Sequence, residues 1–314
     1  MNTHVRWIFV WCLLGGFTVA AGLAQWNVTV VDGATIEAGK FSALAIDQFD
    51  LPHIAYRVEN PDSLKYARLQ GDTWLYEVPA NAGGMGQFNA VALDGNDSAH
   101  IAHFDPGEGD LMHTWRIGGS TLDTESVDTI GTVGMECAID LDSEENPVIS
   151  YYNSSEDTIR LARLQPGIWI QTVDSGIDTG FTDVRVDASD VIHMVYSDYN
   201  TGSLKYARYD GDWTIETVDT GITGVAGALA LNSSGFPHVV YVDSNTADIK
   251  YAVHDGSVWT VETAFTDATA MTKSIDMVLD AGNVPHVCFF SKVSTLVYAN
   301  RVGGTWQGDG VDDD

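Results

Sequence analysis

The stretch LPHIAYRVENPDSLKYARLQGDTW, Leu51 to Trp74, returns with substitutions as FPHVVYVDSNTADIKYAVHDGSVW, ending at Trp259. Aligned on the tryptophan after DGDW-like turns, the chain shows Trp26, Trp74, Leu122 in place of a Trp, Trp169, Trp213, Trp259 and Trp306, 44 to 48 residues apart. This is the period of propeller blades. Each unit runs as SALAID, a turn, PHIAY, a polar loop, LKYAR, a Gly/Asp turn, then WTIETVD. These are short runs rich in β-branched and aromatic residues, bounded by turn formers and lacking the 3.6 period of a helix. Four strands, six times over, predict an all-β fold: a six-bladed β-propeller of four-stranded antiparallel blades. WNVTVVD, Trp26 to Asp32, reads as a fourth strand with no first three before it, while the last unit loses its own after Trp306. The N-terminal strand is therefore expected to complete the last blade and close the ring, which removes free sheet edges.

Residues 1–24 read as a secretory signal peptide, with Arg6 before an apolar run that ends in small residues. That leaves 25–306 for the propeller and 307–314 as an acidic, solvated tail. Cys12 goes with the signal, and Cys137 and Cys288 alone make no disulfide framework. The chain carries 15 Lys plus Arg against 44 Asp plus Glu, spread along its length. Such a surface repels phosphate backbones and anionic lipid. Nucleic acid is excluded as a partner, as is the membrane once the signal is removed. An extracellular glycan or protein, met by a monomer, is the expectation.

Columns across the six units separate scaffold from site. Asp47, Asp94, Asp142, Asp187, Asn232 and Asp280 close the first strands, and six residues later stand His53, His100, Val148, His193, His238 and His286. A group repeated around a ring is not one active site. The Asp or Asn caps a hairpin through an Asx-type bond, and the His pairs buried backbone between blades. The Tyr columns, Tyr56, Tyr151, Tyr196 and Tyr241 on the second strand with Tyr66, Tyr206, Tyr251 and Tyr298 on the third, read as cross-strand pairs.

The turns GDTW, DGDWT, DGSVWT and GGTW resemble degenerate Asp boxes of the BNR-repeat, sialidase-like propellers of secreted bacterial proteins. The resemblance covers all six units and implies the fold. Sialidases of this kind carry an Arg-Ile-Pro motif and an arginine triad. No Arg-Ile-Pro occurs here, and Arg68, Arg163 and Arg208 recur in one column as scaffold. The units are also similar to BNR-type propellers among polysaccharide lyases, and to six-bladed fucose-binding lectins, which share the DG..W turn and bind sugars between blades.

The second unit departs most. His103 and His113 stand where other units have Tyr, and Trp115 where Arg is usual. If Tyr56 faces Tyr66, His103 faces His113, with Trp115 two residues along the same face. Such a group is a candidate glycan subsite, an acid–base pair or, with Asp105 as third ligand, a metal site. A second departure lies on the innermost strands, where Asp140 and Arg185 share a column with Ala45, Ala92, Ala230 and Val278, and Asp183 and Asp276 replace alanines. These four charges predict an ion pair between blades or a charged pocket at the channel mouth. No phosphate loop, nucleophile elbow, HExxH or Cys-metal spacing occurs. The loops between second and third strands are rich in Asp, Asn, Ser and Thr, so calcium is an allowed cofactor but none is required. The reading that results is a secreted recognition module for extracellular carbohydrate or a protein surface. A polysaccharide lyase or glycoside hydrolase, and a structural interaction scaffold, are the alternatives.

Overall fold

Each unit carries the same turn between its first two strands, and the turn explains why they pair. Asp47 Oδ1 accepts the Phe49 and Leu51 N–H groups, both at 2.8 Å. Asp94, Asp142, Asp187, Asn232 and Asp280 repeat this bond pair. The expected Asx caps thus join the first two strands of all six blades. At the tip, Asp50, Asp97, Glu145, Asp190, Gly235 and Asn283 all take positive φ.

The computed structural model describes residues 28–33, 38–60, 62–79, 84–117, 121–164, 166–221, 224–266, 274–291 and 295–311. The expected signal peptide lies outside them. Blade 1 comprises β1 (Ala38–Ile46), β2 (Pro52–Glu59), β3 (Asp62–Gln70) and β4 (Thr73–Glu77). Blade 2 is β5 (Gln87–Leu93), β6 (Ala99–Asp105), β7 (Asp110–Ile117) and β8 (Thr121–Asp128), and blade 3 is β9 (Val133–Leu141), β10 (Pro147–Asn153), β11 (Thr158–Leu164) and β12 (Ile168–Ser175). Blade 4 is β13 (Thr182–Val186), β14 (Ile192–Asp198), β15 (Ser203–Tyr209) and β16 (Trp213–Thr220). Blade 5 is β17 (Gly224–Leu231), β18 (Pro237–Asp243), β19 (Asp248–His254) and β20 (Trp259–Phe265), and blade 6 is β21 (Ile275–Leu279), β22 (Pro285–Phe290), β23 (Leu296–Val302) and β24 (Thr305–Gly310). Every blade is a four-stranded antiparallel sheet in sequential order, and the six form a six-bladed β-propeller.

The core lies between blades. A blade's trailing face, bearing residues such as Leu64 and Tyr66, is covered by the leading face of the next, where Val91 and Ile101 stand. The same join recurs from blade 2 to blade 6. At the joins from blade 2 to blade 5 its polar centre is a triad. Tyr151 Oη donates to Asp128 at 2.7 Å and Arg160 to the same oxygen at 2.9 Å, Asp128 coming from the blade before. Tyr196, Lys205 and Asp174 repeat it, as do Tyr241, Lys250 and Asp219.

The ends are arranged differently from the expectation. The fourth strand of blade 6 is its own β24, paired with β23 from Val302↔Thr305 to Val297↔Gly310. The segment after Trp306 is therefore sheet as far as Gly310, because it continues the ladder, and is not a solvated tail from residue 307. The described part of the N-terminal segment packs on blade 1 instead. Val31 is buried against Ile54, Tyr56, Val58 and Ala67, and Asp32 accepts Tyr56 Oη at 2.9 Å and Lys65 Nζ at 2.5 Å. It takes the place that the preceding blade's fourth strand takes at the triad joins.

Removing one triad hydroxyl removes a charge-assisted bond while leaving the ring packing in place. Tyr196→Phe should lower unfolding stability by about 1–3 kcal/mol in urea titrations, whereas Phe289→Tyr, in the same column without an Asp partner, should give no gain.

Candidate functional site

Blade 2 carries a linked set of rings, but not the expected one. The hairpin register is Ala102↔His113 and His103↔Met112, so His103 and His113 lie on opposite faces, since successive strand side chains alternate. The expected partnership of these two is overturned. His113 Nε2 instead meets His100 Nδ1 at 3.1 Å, and its Nδ1 meets Glu125 Oε1 at 3.2 Å. The His100 and His113 rings are nearly coplanar, 7° apart, with centroids 5.3 Å apart, which fits an in-plane N–H···N bond between them. Trp115 stacks on His113 at 5.0 Å, as the shared face predicts.

His103 is fully buried and meets Thr114 Oγ1 at 2.9 Å. Burial pushes His103 down to about 3 and His100 to about 4, both helped by the nearby His113. Asp105 caps its own turn by accepting the Gly107 N–H at 2.7 Å. Among the described residues, no three His, Cys, Asp or Glu side chains gather where they could hold a metal ion.

The recurring histidines bind side chains rather than the backbone expected. His53 Nδ1 meets Tyr66 Oη at 2.5 Å, and its Nε2 lies 3.4 Å from Asp47. His286 with Tyr298 repeats the chain, and His193 repeats its tyrosine half with Tyr206, its Nε2 standing 3.5 Å from Asp187 without a hydrogen bond. The carboxylate fixes Nε2–H, so Nδ1 accepts the tyrosine proton. Blade 5 reverses this. Asn232 spends its Oδ1 on the Ser234 and Phe236 N–H groups and turns Nδ2 toward His238 Nε2 at 3.2 Å. His238 then donates from Nδ1 to Tyr251 Oη, which leaves the Tyr251 proton for another acceptor. Burial lowers His238 to about 4, keeping it neutral.

On the innermost strands, Arg185 pairs with Asp183 of its own blade at 2.7 Å. Asp140 does not make the expected direct ion pair; its Oδ2 accepts the Val186 N–H of blade 4 at 2.7 Å. Asp183 likewise accepts the Leu229 N–H of blade 5, so these carboxylates tie inner strands together. Asp276 accepts the Met277 N–H of its own strand, and its charge acts on Arg185.

Among the described residues, two joins lack the Tyr–Asp–cation triad, and both hold a cavity. Between blades 5 and 6, Phe289, Val297 and Phe265 replace the triad, with the two Phe rings 5.5 Å apart. Between blades 1 and 2, His103 and Met112 stand in the Tyr and Lys positions. In these two joins alone, an arginine one residue beyond the usual third-strand column reaches back to a fourth-strand glutamate. Arg301 binds Glu262 through two bonds of 2.6 and 3.0 Å, and Arg116 lies 3.3 Å from Glu77. The blade 5/6 cavity is about 300 Å³ and is lined by His238, Tyr251, Thr260, Glu262, Asn283 and Arg301 among others. The blade 1/2 cavity is about 210 Å³, with His53, Arg68, Asp97 and Arg116 in its walls. Glu262 also accepts Trp306 Nε1 at 2.8 Å, and Trp306 meets Tyr251 edge-on at 5.3 Å. Arg301 and Glu262 are each about one-third exposed, whereas Arg116 and Glu77 are largely covered. Sequence reasoning missed both arginines.

No family model and no curated protein matches the sequence. Solved structures do match the fold. AofleA from Arthrobotrys oligospora superposes with a TM-score of 0.61 at 13% identity, over 87% of this chain and 86% of that one. Aleuria aurantia lectin, a six-bladed β-propeller described with a fucose recognition mode, gives 0.60 at 14% identity over 85% and 93%. The Hadza microbial sialidase Hz136 gives 0.57 at 13% identity over 88% of this chain and 66% of that one. At such identities the likeness is one of fold.

The buried histidines set an acid limit. His100, His103 and His238 have depressed folded-state values against 6.5, so acid drives proton uptake by the unfolded chain. Their contribution is full above pH 6.5 and is lost as pH falls toward 4, at up to roughly 1.4 kcal/mol per pH unit for each fully shielded group. Urea midpoints at pH 7.5 and 4.5 should show this loss, and His103→Phe, which installs the residue found at 289, should reduce it.

Proposed function

We propose that the protein is a secreted carbohydrate-recognition module whose main sugar site is the cavity between blades 5 and 6. The observation that carries this reading is the coincidence, at the same two joins, of a lost triad, an Arg–Glu pair and an open cavity. A sugar hydroxyl both donates and accepts. In the blade 5/6 cavity Arg301 offers N–H donors, Glu262 an acceptor and Tyr251 a hydroxyl proton that His238 does not take. Trp306 and Tyr251 add aromatic surface for the apolar side of a pyranose. These are protein groups throughout, so recognition requires no metal, and calcium is an optional addition. The strongly acidic composition favours a neutral glycan over an anionic one.

Aleuria aurantia lectin, with a ring of the same architecture, is described bound to Fucα1-6GlcNAc, which makes fucosylated glycans the first ligands to try. Of the residues lining the blade 5/6 cavity, Glu262 is the one carboxylate. Glycosidic hydrolysis by the usual route needs two, which favours binding over that chemistry. The blade 1/2 cavity, smaller and with its pair more covered, is a second and weaker site.

A glycan array probed with and without chelator tests the reading. Selective binding should survive chelation, fall at least tenfold in Arg301→Ala, and fall less in Arg116→Ala, since truncating one partner of a charged pair costs about 2–5 kcal/mol. A folded protein that binds no glycan would leave a protein partner as the better reading.

A further inference from the structure

The hydrogen-bond polarity of the blade 5/6 cavity is set from outside it, by the one turn residue of the repeat that is not a carboxylic acid. Five units carry Asp47, Asp94, Asp142, Asp187 and Asp280 between their first two strands, and the fifth blade carries Asn232. The turn fixes which way the Asn232 amide lies. Its Oδ1 accepts the Ser234 and Phe236 N–H groups at 2.9 and 3.0 Å, so the atom facing His238 Nε2, at 3.2 Å, is Nδ2. An amide N–H can only donate. His238 Nε2 therefore holds a lone pair, the ring proton sits on Nδ1, and Nδ1 donates to Tyr251 Oη. Burial keeps the ring neutral, so it carries no second proton.

Blade 1 shows the opposite setting. Asp47 lies 3.4 Å from His53 Nε2 and fixes the ring proton there, so Nδ1 accepts from Tyr66, whose proton is spent inside its own blade. Tyr251 keeps its proton. It is only 4% exposed, it lines the cavity, and among the described residues its Oη has no hydrogen-bond partner but His238. The acceptors beside it are engaged: Glu262 takes two bonds from Arg301 and one from Trp306, and Asn283 Oδ1 takes the Ser233 N–H. A buried donor without an acceptor costs about 1–3 kcal/mol. What the Tyr251 hydroxyl lacks is an oxygen that accepts.

We propose, on the sugar-binding reading of this cavity, that Asn232 is a positioning residue: acting through His238, it makes Tyr251 a hydrogen-bond donor, and the site thereby selects a sugar that brings an oxygen without a proton. The carbonyl of an acetamido group and the ring oxygen are such atoms. A sugar hydroxyl turns to suit a donor or an acceptor, so either setting of the relay binds it. An ether or carbonyl oxygen is bound only where the protein supplies the proton. Asn232, which touches no ligand, thus decides which class of atom Tyr251 recognises.

Asn232→Asp installs the residue of the other five turns and keeps the two bonds to Oδ1, so the turn is retained. Nitrogen NMR of the imidazole should find the His238 proton on Nδ1 in the unaltered protein and on Nε2 in the variant. Calorimetry then reads the ligand atom with two pairs of probes: N-acetylglucosamine against glucose for the carbonyl, and methyl α-fucoside against its carbocyclic analogue for the ring oxygen. In the unaltered protein the members of one pair should differ by roughly tenfold, the worth of one hydrogen bond, and Asn232→Asp should erase the difference. Tyr251→Phe should erase it as well, and the two substitutions together should remove no more of it than either alone. Equal affinities within both pairs, or a preference that survives Asn232→Asp, overturns the ligand class. A His238 proton that does not move overturns the role of Asn232, whatever binds. If the proton moves and no sugar binds, the role of Asn232 in the relay stands and the sugar reading of the cavity falls.

Discussion

Each blade is a sheet with two apolar faces, and neither is stable unless another blade covers it. This constraint orders the molecule. Tyr66, Tyr151, Tyr196 and Tyr241 are fully buried only because neighbouring sheets press on them. Burying four tyrosines would strand their hydroxyls, and a stranded buried donor costs more than a made bond returns. The repeat answers with two polar chains. One runs within a blade from the turn carboxylate through His to the third-strand Tyr. The other crosses between blades from Tyr to the fourth-strand Asp, with Lys or Arg neutralising the charge.

Where the crossing chain is absent, it is absent as a unit. Blade 6 has Phe289, Val297 and, from blade 5, Phe265 in place of Tyr, Lys and Asp, so no charge is left without its partner. This is the expected cost structure of buried ion pairs: removing one partner is expensive, while replacing the whole set by apolar groups is tolerated. Joins freed in this way carry Arg301 and Arg116 instead, each paired with a glutamate of the preceding blade and each lining a cavity. Scaffold and site are thus alternative solutions to one problem of covering a sheet.

Most of the fold was legible in the sequence because period and turn chemistry repeat six times. Each Asx turn, each Tyr column and each unit length is independent testimony to the same blade. The candidate site was less legible for a specific reason. Pairing His103 with His113 assumed that Tyr56 faces Tyr66, whereas Ala55 does. A slip of one residue moves a side chain to the other face of a sheet. Counting the loop would have corrected it, since Glu59 pairs with Asp62 across two residues and the register follows from there. Trp115 was placed rightly on the face of His113, because two positions along one strand share a face in any register. Arg116 and Arg301 were not legible as a pair in the sequence because they stand one position beyond the recurring column of Arg68, Arg163 and Arg208. Their signal was present all the same, in the joint loss of Tyr, Lys and Asp from the same joins.

The ends of the chain show what a repeat pattern alone does not decide. Trp26 to Asp32 has the sequence of a fourth strand, and Val31 and Asp32 do make a fourth strand's contacts with the following blade. Trp306 to Asp312 has the same character, and its ladder with β23 fills the edge of blade 6. A sequence column says which neighbours a residue suits, not which of two equal claimants sits there. That choice rests on the ladder bonds a segment makes to its own blade, and β24 is tied to β23 by a hairpin with only Gly303 and Gly304 in the loop. Closing so short a loop costs little chain entropy, so the segment after Trp306 takes the edge of blade 6, while Val31 and Asp32 cover the leading face of blade 1.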